Sequence, residues 1–320
     1  MGSGTRSPKV SSALAVAAVA VLLAGCGGAS DPAAAPPSNR VSQARAAWRF
    51  DASMSQRRSY VAAAEWGGRI YAAGGMVGET GRFLRTFAGY DPRRDAWTTL
   101  APLPEAVRAG AAAAVGGRVY VIGGQTVGDD GRQVFAYDVA GGEWERRAPL
   151  PAPLYNEAAV ALGGRIYVVG GYDRGRERSS VFVYDPGADR WSRAAPLPRP
   201  AHALGAVPYR GEVWAIGGRR GEQVLRSVWI YDPRSRRWRA GPALPKPMQL
   251  LGAAVAGGRI HAIWEDTYEI WDGSRWRTGP PPKVPRHALS VFAAAGRLYV
   301  VGGCTVDLHD TQLVESRALS

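Results

Sequence analysis

Large polar side chains recur at one fixed position along this chain, twelve residues ahead of a repeated aromatic or histidine position. Five of the six residues at that position can form several hydrogen bonds or carry charge, and arginine binds anionic groups through charge-assisted hydrogen bonds. Such groups gathered around one opening predict a site for a polar or anionic ligand. The six residues are Ser59, Arg108, Tyr155, His202, Gln249 and His287.

Two neighbours of this set, Arg58 and Asn156, join the ligand-binding candidates. A further candidate lies where one repeat departs from the others, with Trp264-Glu265 in place of a glycine pair. From there to the next aromatic–Asp pair the chain runs 7 residues, against 14 in the second to fourth repeats. An exposed Trp264 beside the carboxylates of Glu265 and Asp266 is typical of a platform for a sugar ring. Decay of the repeat without any function explains the same departure.

Metal chemistry has weaker support in the sequence. Two of the polar positions are histidines, but they belong to different repeats and no close-spaced ligand pair exists. A better-spaced trio near the end of the chain matches no recognised ligand pattern. We therefore expect no metal and no cofactor. The residues considered are His202, His287, Asp307, His309 and Asp310.

Short strands in a long repeat must position these side chains. Each unit holds an apolar segment that ends in a glycine pair, as in 118–124 (RVYVIGG), and then an aromatic–Asp pair such as Tyr137-Asp138. A tryptophan closes each unit, at intervals of 49, 47, 47, 47 and 38 residues. A repeat of this period indicates stacked or radially arranged structural units. The tryptophans are Trp48, Trp97, Trp144, Trp191, Trp238 and Trp276.

The double glycine followed by a tyrosine and then a tryptophan resembles the kelch repeat, and the resemblance covers about residues 45–320. It implies an all-β fold, a six-bladed kelch-type β-propeller with four antiparallel strands in each blade. After Tyr299 only 21 residues remain, too few for a regular last outer strand. We predict that the N-terminal strand around Trp48 joins the last blade and closes the ring, since this protects an open sheet edge.

The resemblance also places the loops before the inner strands and after the glycine pairs on one face, around the mouth of a central channel. It leaves two functions open: a binding module for a protein partner or an envelope glycan, and a sugar-modifying enzyme such as a sialic-acid-epimerase-like isomerase. A copper oxidase of the galactose oxidase kind needs a cross-linked Cys–Tyr pair, which Cys304 is not placed to supply. We favour the binding module because no catalytic constellation has a recognisable spacing. The acid–base candidates for the enzyme are Arg108, Glu157, His202 and His287.

The first residues predict secretion and a lipid anchor. A positive start precedes an apolar run over 13–23, which is too short to span a membrane and is typical of a signal peptide. The run Leu23-Ala24-Gly25-Cys26 resembles a bacterial lipobox. We expect cleavage of residues 1–25, lipidation of Cys26, a flexible tether over 26–44 and an extracytoplasmic protein held on the membrane of the cell envelope. Cys304 then has no disulfide partner.

The net charge of +13 comes almost wholly from arginine, since only three of the 40 basic residues are lysines. Such a bias is also typical of a GC-rich genome, and the sequence has no lysine cluster or basic helix. We therefore expect no nucleic-acid partner despite the positive charge, and a monomer.

Overall fold

The computed structural model describes residues 47–128 and 131–319. The predicted signal peptide, Cys26 and the tether lie outside the described residues. The part of the chain that is described contains no helix long and apolar enough to cross a membrane.

Six antiparallel sheets of four strands form a ring, which confirms the six-bladed β-propeller. The innermost strands are rich in alanine, glycine and valine, whose small side chains allow six backbones to meet around one axis. Each inner strand contacts the next, and the first contacts the sixth, so the ring is closed. In the order of blades 1 to 6, these strands are Ala62–Trp66, Ala111–Val115, Ala158–Leu162, Gly205–Tyr209, Gly252–Ala256 and Ser290–Ala294.

The two middle strands of each blade are largely buried on both faces, because each blade packs between two others. They are mostly apolar, although the third strands of blades 5 and 6 also bury Glu269 and Glu315. β-branched and aromatic residues dominate them, as expected of buried strands. The second strands are Arg69–Ala73, Arg118–Ile122, Arg165–Val169, Glu212–Ile216, Arg259–Trp264 and Arg297–Val301. The third strands are Phe87–Asp91, Val134–Asp138, Val181–Asp185, Val228–Asp232, Thr267–Trp271 and Val314–Ala318.

The outer strand of blade 6 comes from the start of the described chain. Arg49–Asp51 pairs antiparallel with the last strand, with Phe50 opposite Glu315. The predicted closure of the ring is therefore confirmed, and the first and last strands share one sheet. The outer strands of blades 1 to 6 are Ala96–Thr99, Trp144–Arg146, Arg190–Arg193, Arg237–Ala240, Trp276–Thr278 and Arg49–Asp51.

The six recurrent tryptophans tie neighbouring blades together. Each indole N–H donates a hydrogen bond of 2.7–2.9 Å to a backbone carbonyl. That carbonyl lies in the segment that leads from the preceding blade to the inner strand of the tryptophan's own blade. Trp144, for example, donates to the carbonyl of Ala101, and Trp48 closes the series on Pro280. The spacing of the tryptophans thus reflects one repeated contact between blades.

In five of the six blades, a glycine pair allows the end of the second strand to pass very close to a neighbouring blade. Gly74 has a φ of +62°, and a Cβ on it would lie 2.3 Å from the carbonyl oxygen of Val107. The following Gly75 donates its N–H to that same carbonyl at 2.8 Å. A larger residue at Gly74 is excluded both by its backbone conformation and by this close approach.

Short hairpins follow the glycine pair in several blades. Met76–Val77 pairs with Arg82–Phe83 in blade 1. Blade 6 has a different pairing, in which Arg286–His287, ahead of the inner strand, pairs with Cys304–Thr305 after the glycine pair. Blade 5 differs, since its second and third strands are joined directly through Glu265 and Asp266. The remaining hairpins join Tyr172–Asp173 to Arg176–Glu177 and Arg219–Arg220 to Gln223–Val224.

Candidate functional site

The predicted polar positions occupy equivalent places in the structure. Five of them form a backbone bridge with the residue seventeen positions further along the chain, just after the glycine pair. This bridge places them on the face that carries the hairpins, which we call the loop face. Gln249 lies in the blade with the shortened loop. The bridged pairs are Ser59–Met76, Arg108–Gln125, Tyr155–Tyr172, His202–Arg219 and His287–Cys304.

The residue after each polar position belongs to a closed ring of backbone hydrogen bonds, which we call the collar. Each N–H donates to the carbonyl of its counterpart in the preceding blade, at 2.8–3.3 Å, and the first donates to the sixth. All six have a φ between +45° and +54° although none is glycine. Such a conformation costs about 1 kcal/mol or more per residue and persists only where the surrounding structure enforces it. The collar consists of Tyr60, Ala109, Asn156, Ala203, Leu250 and Ala288.

The central channel begins directly below the collar. It has a volume of about 370 Å³ and is lined by the inner strands. Most of its wall consists of alanine and valine, but near the collar the lining includes the carboxyl side chain of Glu157. Leu204, Leu251 and Leu289 hold the equivalent place in blades 4 to 6.

Glu157 is 7% exposed. Its Oε1 accepts a hydrogen bond from the N–H of Ala111 at 3.3 Å, and its Oε2 has no hydrogen-bond partner among the described residues. Burial raises the pKa of this carboxyl from 4.5 to about 8. The side chain therefore holds a proton at neutral pH and can donate a hydrogen bond.

Arg108 joins two blades on the loop face. Its Nε donates to Oε1 of Gln125 at 2.8 Å, and its Nη1 lies 2.9 Å from the sulfur of Met76 in blade 1. The guanidinium also lies over the ring of Phe83, 4.8 Å from the centroid. Its charge reaches Tyr155, where it partly offsets the rise in pKa caused by burial of that phenol.

A row of rings continues from Tyr155 across blades 3 and 4. The ring centroids of Tyr155 and Tyr172 are 5.4 Å apart, and those of Tyr172 and His202 are 4.9 Å apart. Nδ1 of His202 lies 3.9 Å from Oε1 of Glu177, and burial lowers the pKa of the imidazole. All of these side chains are partly exposed. We call the five residues Arg108, Tyr155, Tyr172, Glu177 and His202 the polar arc.

The other predicted candidates lie outside this arc. Arg58 is 1% exposed, and its guanidinium donates to the backbone carbonyls of Gly74 and Thr86 at 3.0 and 3.1 Å. The prediction that Arg58 takes part in ligand binding is corrected, because its charge is enclosed in the seam between blades. Asn156 takes part in the collar through its backbone. Gln249 is partly exposed, with no side-chain hydrogen bond among the residues that are described.

Trp264 is partly exposed, and part of its ring packs against the core between blades 4 and 5. The sugar platform predicted there stays a prediction. Because the loop between the second and third strands of blade 5 is short, the apolar ring of Trp264 contacts neighbouring side chains of the protein. The backbone N–H of Glu265 donates a hydrogen bond to the carbonyl of Arg286 at 2.8 Å. Its carboxylate lies 3.6 Å from Nδ1 of His287, so these two candidates contact each other.

The possible metal trio is dispersed by the fold. The carboxylate of Asp310 accepts a hydrogen bond from the N–H of Gly78, while Asp307 and His309 are exposed. Within residues 47–128 and 131–319 no group of three or more His, Cys, Asp or Glu side chains is placed to hold a metal ion. Cys304 is a buried free thiol, and burial raises its pKa.

The sequence reasoning missed Tyr172 and Glu177 of the polar arc. Both belong to the hairpin of blade 3, and their role depends on contacts with the neighbouring blade. A signal for Tyr172 was present, because it follows the pair Gly170-Gly171 directly and lies seventeen residues after Tyr155. Glu177 has no counterpart of the same type in the other hairpins.

Comparisons with known proteins agree with this architecture. Residues 60–262 match the KLHDC2/KLHL20/DRC7 Kelch-repeats domain. A solved structure described as "Structure of YjhT" superimposes with a TM-score of 0.73 at 14% sequence identity, over 82% of this chain and 95% of that chain; at this identity the likeness shows the fold alone. A search of curated proteins gave no match. Because the matched residues make up more than half of the chain, it belongs to the KLHDC2/KLHL20/DRC7 Kelch-repeats domain family.

Proposed function

We propose that this protein is a binding module that holds an envelope glycan on its loop face through the polar arc. A kelch propeller fits a binding module in general. The observation that supports a glycan is the row of partly exposed rings formed by Tyr155, Tyr172 and His202, flanked by charged groups at both ends.

The chemistry of a sugar chain matches this arrangement. A sugar ring has an apolar C–H face, which packs on an aromatic ring, and hydroxyl groups at its edge. Glu177 accepts hydrogen bonds, and Arg108 donates them. Since the rings of the arc are spaced along two blades, successive sugar units can each find one.

We further propose that the module works outside the cytoplasm, tethered to a membrane. The support is the sequence pattern alone: the lipobox-like run that ends in Cys26 and the Ala-, Pro- and Gly-rich segment over 26–44. Radiolabelled palmitate should be incorporated into the intact protein in a bacterial host. The Cys26→Ser variant should not incorporate it, and equal labelling of both would contradict the anchor.

The test of the binding site is thermal unfolding of the purified protein with neutral sugars, acidic sugars and envelope glycans. A ligand at 100 times its dissociation constant stabilises a fold by about 2.7 kcal/mol. We expect the shift to disappear in Tyr172→Ala. Gln249→Ala is the matched control, because it removes a polar side chain of equivalent position in the ring but outside the arc.

A shift that is lost equally in both variants would show that the whole ring binds, and would contradict the arc. No shift with any sugar would overturn the glycan proposal. Cross-linking in the envelope would then test a protein partner on the same face, again with Tyr172→Ala against Gln249→Ala.

A further inference from the structure

A second cavity, apart from the polar arc, lies on the side of blade 4 that packs against blade 3. It has a volume of about 260 Å³. Its floor is apolar and comes from blade 4 and the segment that leads into it: Leu197 and Ala201 precede the inner strand of blade 4, while Leu225 follows the hairpin of that blade. None of the five residues of the polar arc lines it.

The equivalent places in blades 2 and 3 are filled by an arginine that covers an aromatic ring. In blade 2 the guanidinium carbon of Arg146 lies 4.9 Å from the ring centroid of Phe135, its partner across the strands. In blade 3 Arg193 covers Phe182 in the same way, at 5.4 Å. Both phenylalanines are at most 1% exposed.

Blade 4 has the aromatic ring but not the arginine. Trp229 holds the position of the two phenylalanines, and its partner across the strands is Ala240. On its other side Trp229 pairs with Ala215, where blades 2 and 3 have Val121 and Val168. Two side chains are thus smaller than their counterparts, which leaves Trp229 partly exposed in the wall of the cavity.

The rim of this cavity is positively charged. Arg199, Arg220 and Arg226 line it, and no aspartate or glutamate does so among the described residues. Arg226 donates through Nε to the carbonyl of Leu244 at 2.7 Å, a contact that fixes the base of its guanidinium. Three guanidinium groups without a lining carboxylate attract an anion and repel a cation.

We propose that this cavity binds a small aromatic carboxylate. Its ring stacks on Trp229, in the space that an arginine fills in blades 2 and 3, and its carboxylate pairs with Arg199, Arg220 and Arg226. The volume of the cavity, about 260 Å³, is sufficient for such a ligand, because a cavity of about 150 Å³ already holds a benzene molecule. The site is independent of the glycan proposal, since the two share no residue.

The test uses 3-phenylpropionate and its uncharged analogue 3-phenylpropionamide, titrated into the purified protein by calorimetry or followed by saturation-transfer NMR. We expect the carboxylate to bind with a dissociation constant below about 1 mM. The amide, which has the same ring and length, should bind at least tenfold more weakly. Raising the salt concentration should weaken binding of the carboxylate alone.

Two variants locate the site. Ala240→Arg restores the arrangement of blades 2 and 3, so it should preserve folding and lower the affinity at least tenfold. Thr99→Arg is the matched control, because it adds the same charge at the equivalent position of blade 1, where Ala88 stands in place of the aromatic residue. Arg220→Gln on the rim should also weaken binding of the carboxylate.

The proposal is overturned if neither probe binds, if the amide binds as tightly as the carboxylate, or if Ala240→Arg binds like the unmodified protein. Loss of binding in Thr99→Arg as well would show that added charge, rather than a filled cavity, causes the effect. Because Tyr172→Ala leaves this cavity intact, that variant should keep binding 3-phenylpropionate whether or not the glycan proposal holds.

Discussion

Replacing Glu157 should remove a pH dependence from the stability of the whole propeller. Its carboxyl is buried below the collar with one oxygen unpartnered, and burial raises its pKa from 4.5 to about 8. The folded protein therefore keeps this proton in a pH range where the unfolded chain has lost it. For an acid whose pKa is raised on folding, stability is highest below the unfolded pKa and falls as the pH rises towards the folded pKa.

The magnitude follows from the two pKa values. Between pH 4.5 and 8 each pH unit lowers the free energy of unfolding by about 1.4 kcal/mol through this group. Glu157 therefore contributes a loss of about 3 kcal/mol between pH 4.5 and pH 7. Glu157→Gln keeps the shape of the side chain but cannot titrate, so any cost of its buried amide is the same at every pH.

The assay is denaturant unfolding of both proteins at pH 5, 6, 7 and 8. The difference in free energy of unfolding between Glu157→Gln and the unmodified protein should shift in favour of the variant at each step. Glu157→Leu, which copies Leu204 and Leu251, should be the most stable at pH 8. Parallel pH profiles for Glu157→Gln and the unmodified protein would refute the reasoning, because other titrating groups affect both equally.

Three further changes test the packing of the ring by the same unfolding assay. Glu315→Gln should lower the free energy of unfolding by about 3–5 kcal/mol, because both Glu315 and its ion-pair partner Arg286 have fully buried side chains. A decrease below about 1 kcal/mol would contradict this. Gly74→Ala should lower the free energy of unfolding by about 1–3 kcal/mol more than Gly116→Ala. Both glycines have a positive φ, but only the Cβ added at Gly74 would clash with a backbone carbonyl. Equal decreases would rule out the steric argument. Trp144→Phe should cost about 0.5–1.5 kcal/mol through its lost hydrogen bond, and no loss would mean that the bond does not stabilise the ring.

The architecture was predictable because each blade repeats the same local pattern. The tryptophans mark the outer strands, and the surplus Trp48 at one end matches the missing strand at the other. The polar positions were predictable for the same reason, since a fixed offset from the second strand identifies them. Both inferences require only counting along the chain.

The collar was not predictable, because its six members share a backbone conformation rather than a residue type. Tyr60, Ala109 and Leu250 have no common preference for a positive φ, and the closed ring of hydrogen bonds imposes it. The burial of Arg58 likewise depends on carbonyls presented by the folded blade. The packing of part of the Trp264 ring against the core between blades 4 and 5 was also not predictable, because the sequence could not show which neighbour that ring would contact.

The strand that completes blade 6 is also the first element on which a pull applied to the chain ahead of it would act. A pull on the chain ahead of residue 47 acts first on Arg49–Asp51, which is held by only three residue pairs to Val314–Ala318. The buried Trp48, which donates a hydrogen bond to Pro280, directly precedes this strand, so a pull on the chain reaches Trp48 before it reaches those residue pairs. The packing and the hydrogen bond of its indole should therefore resist the separation of this strand from the sheet. The force that opens the ring should fall sharply when this one side chain is removed.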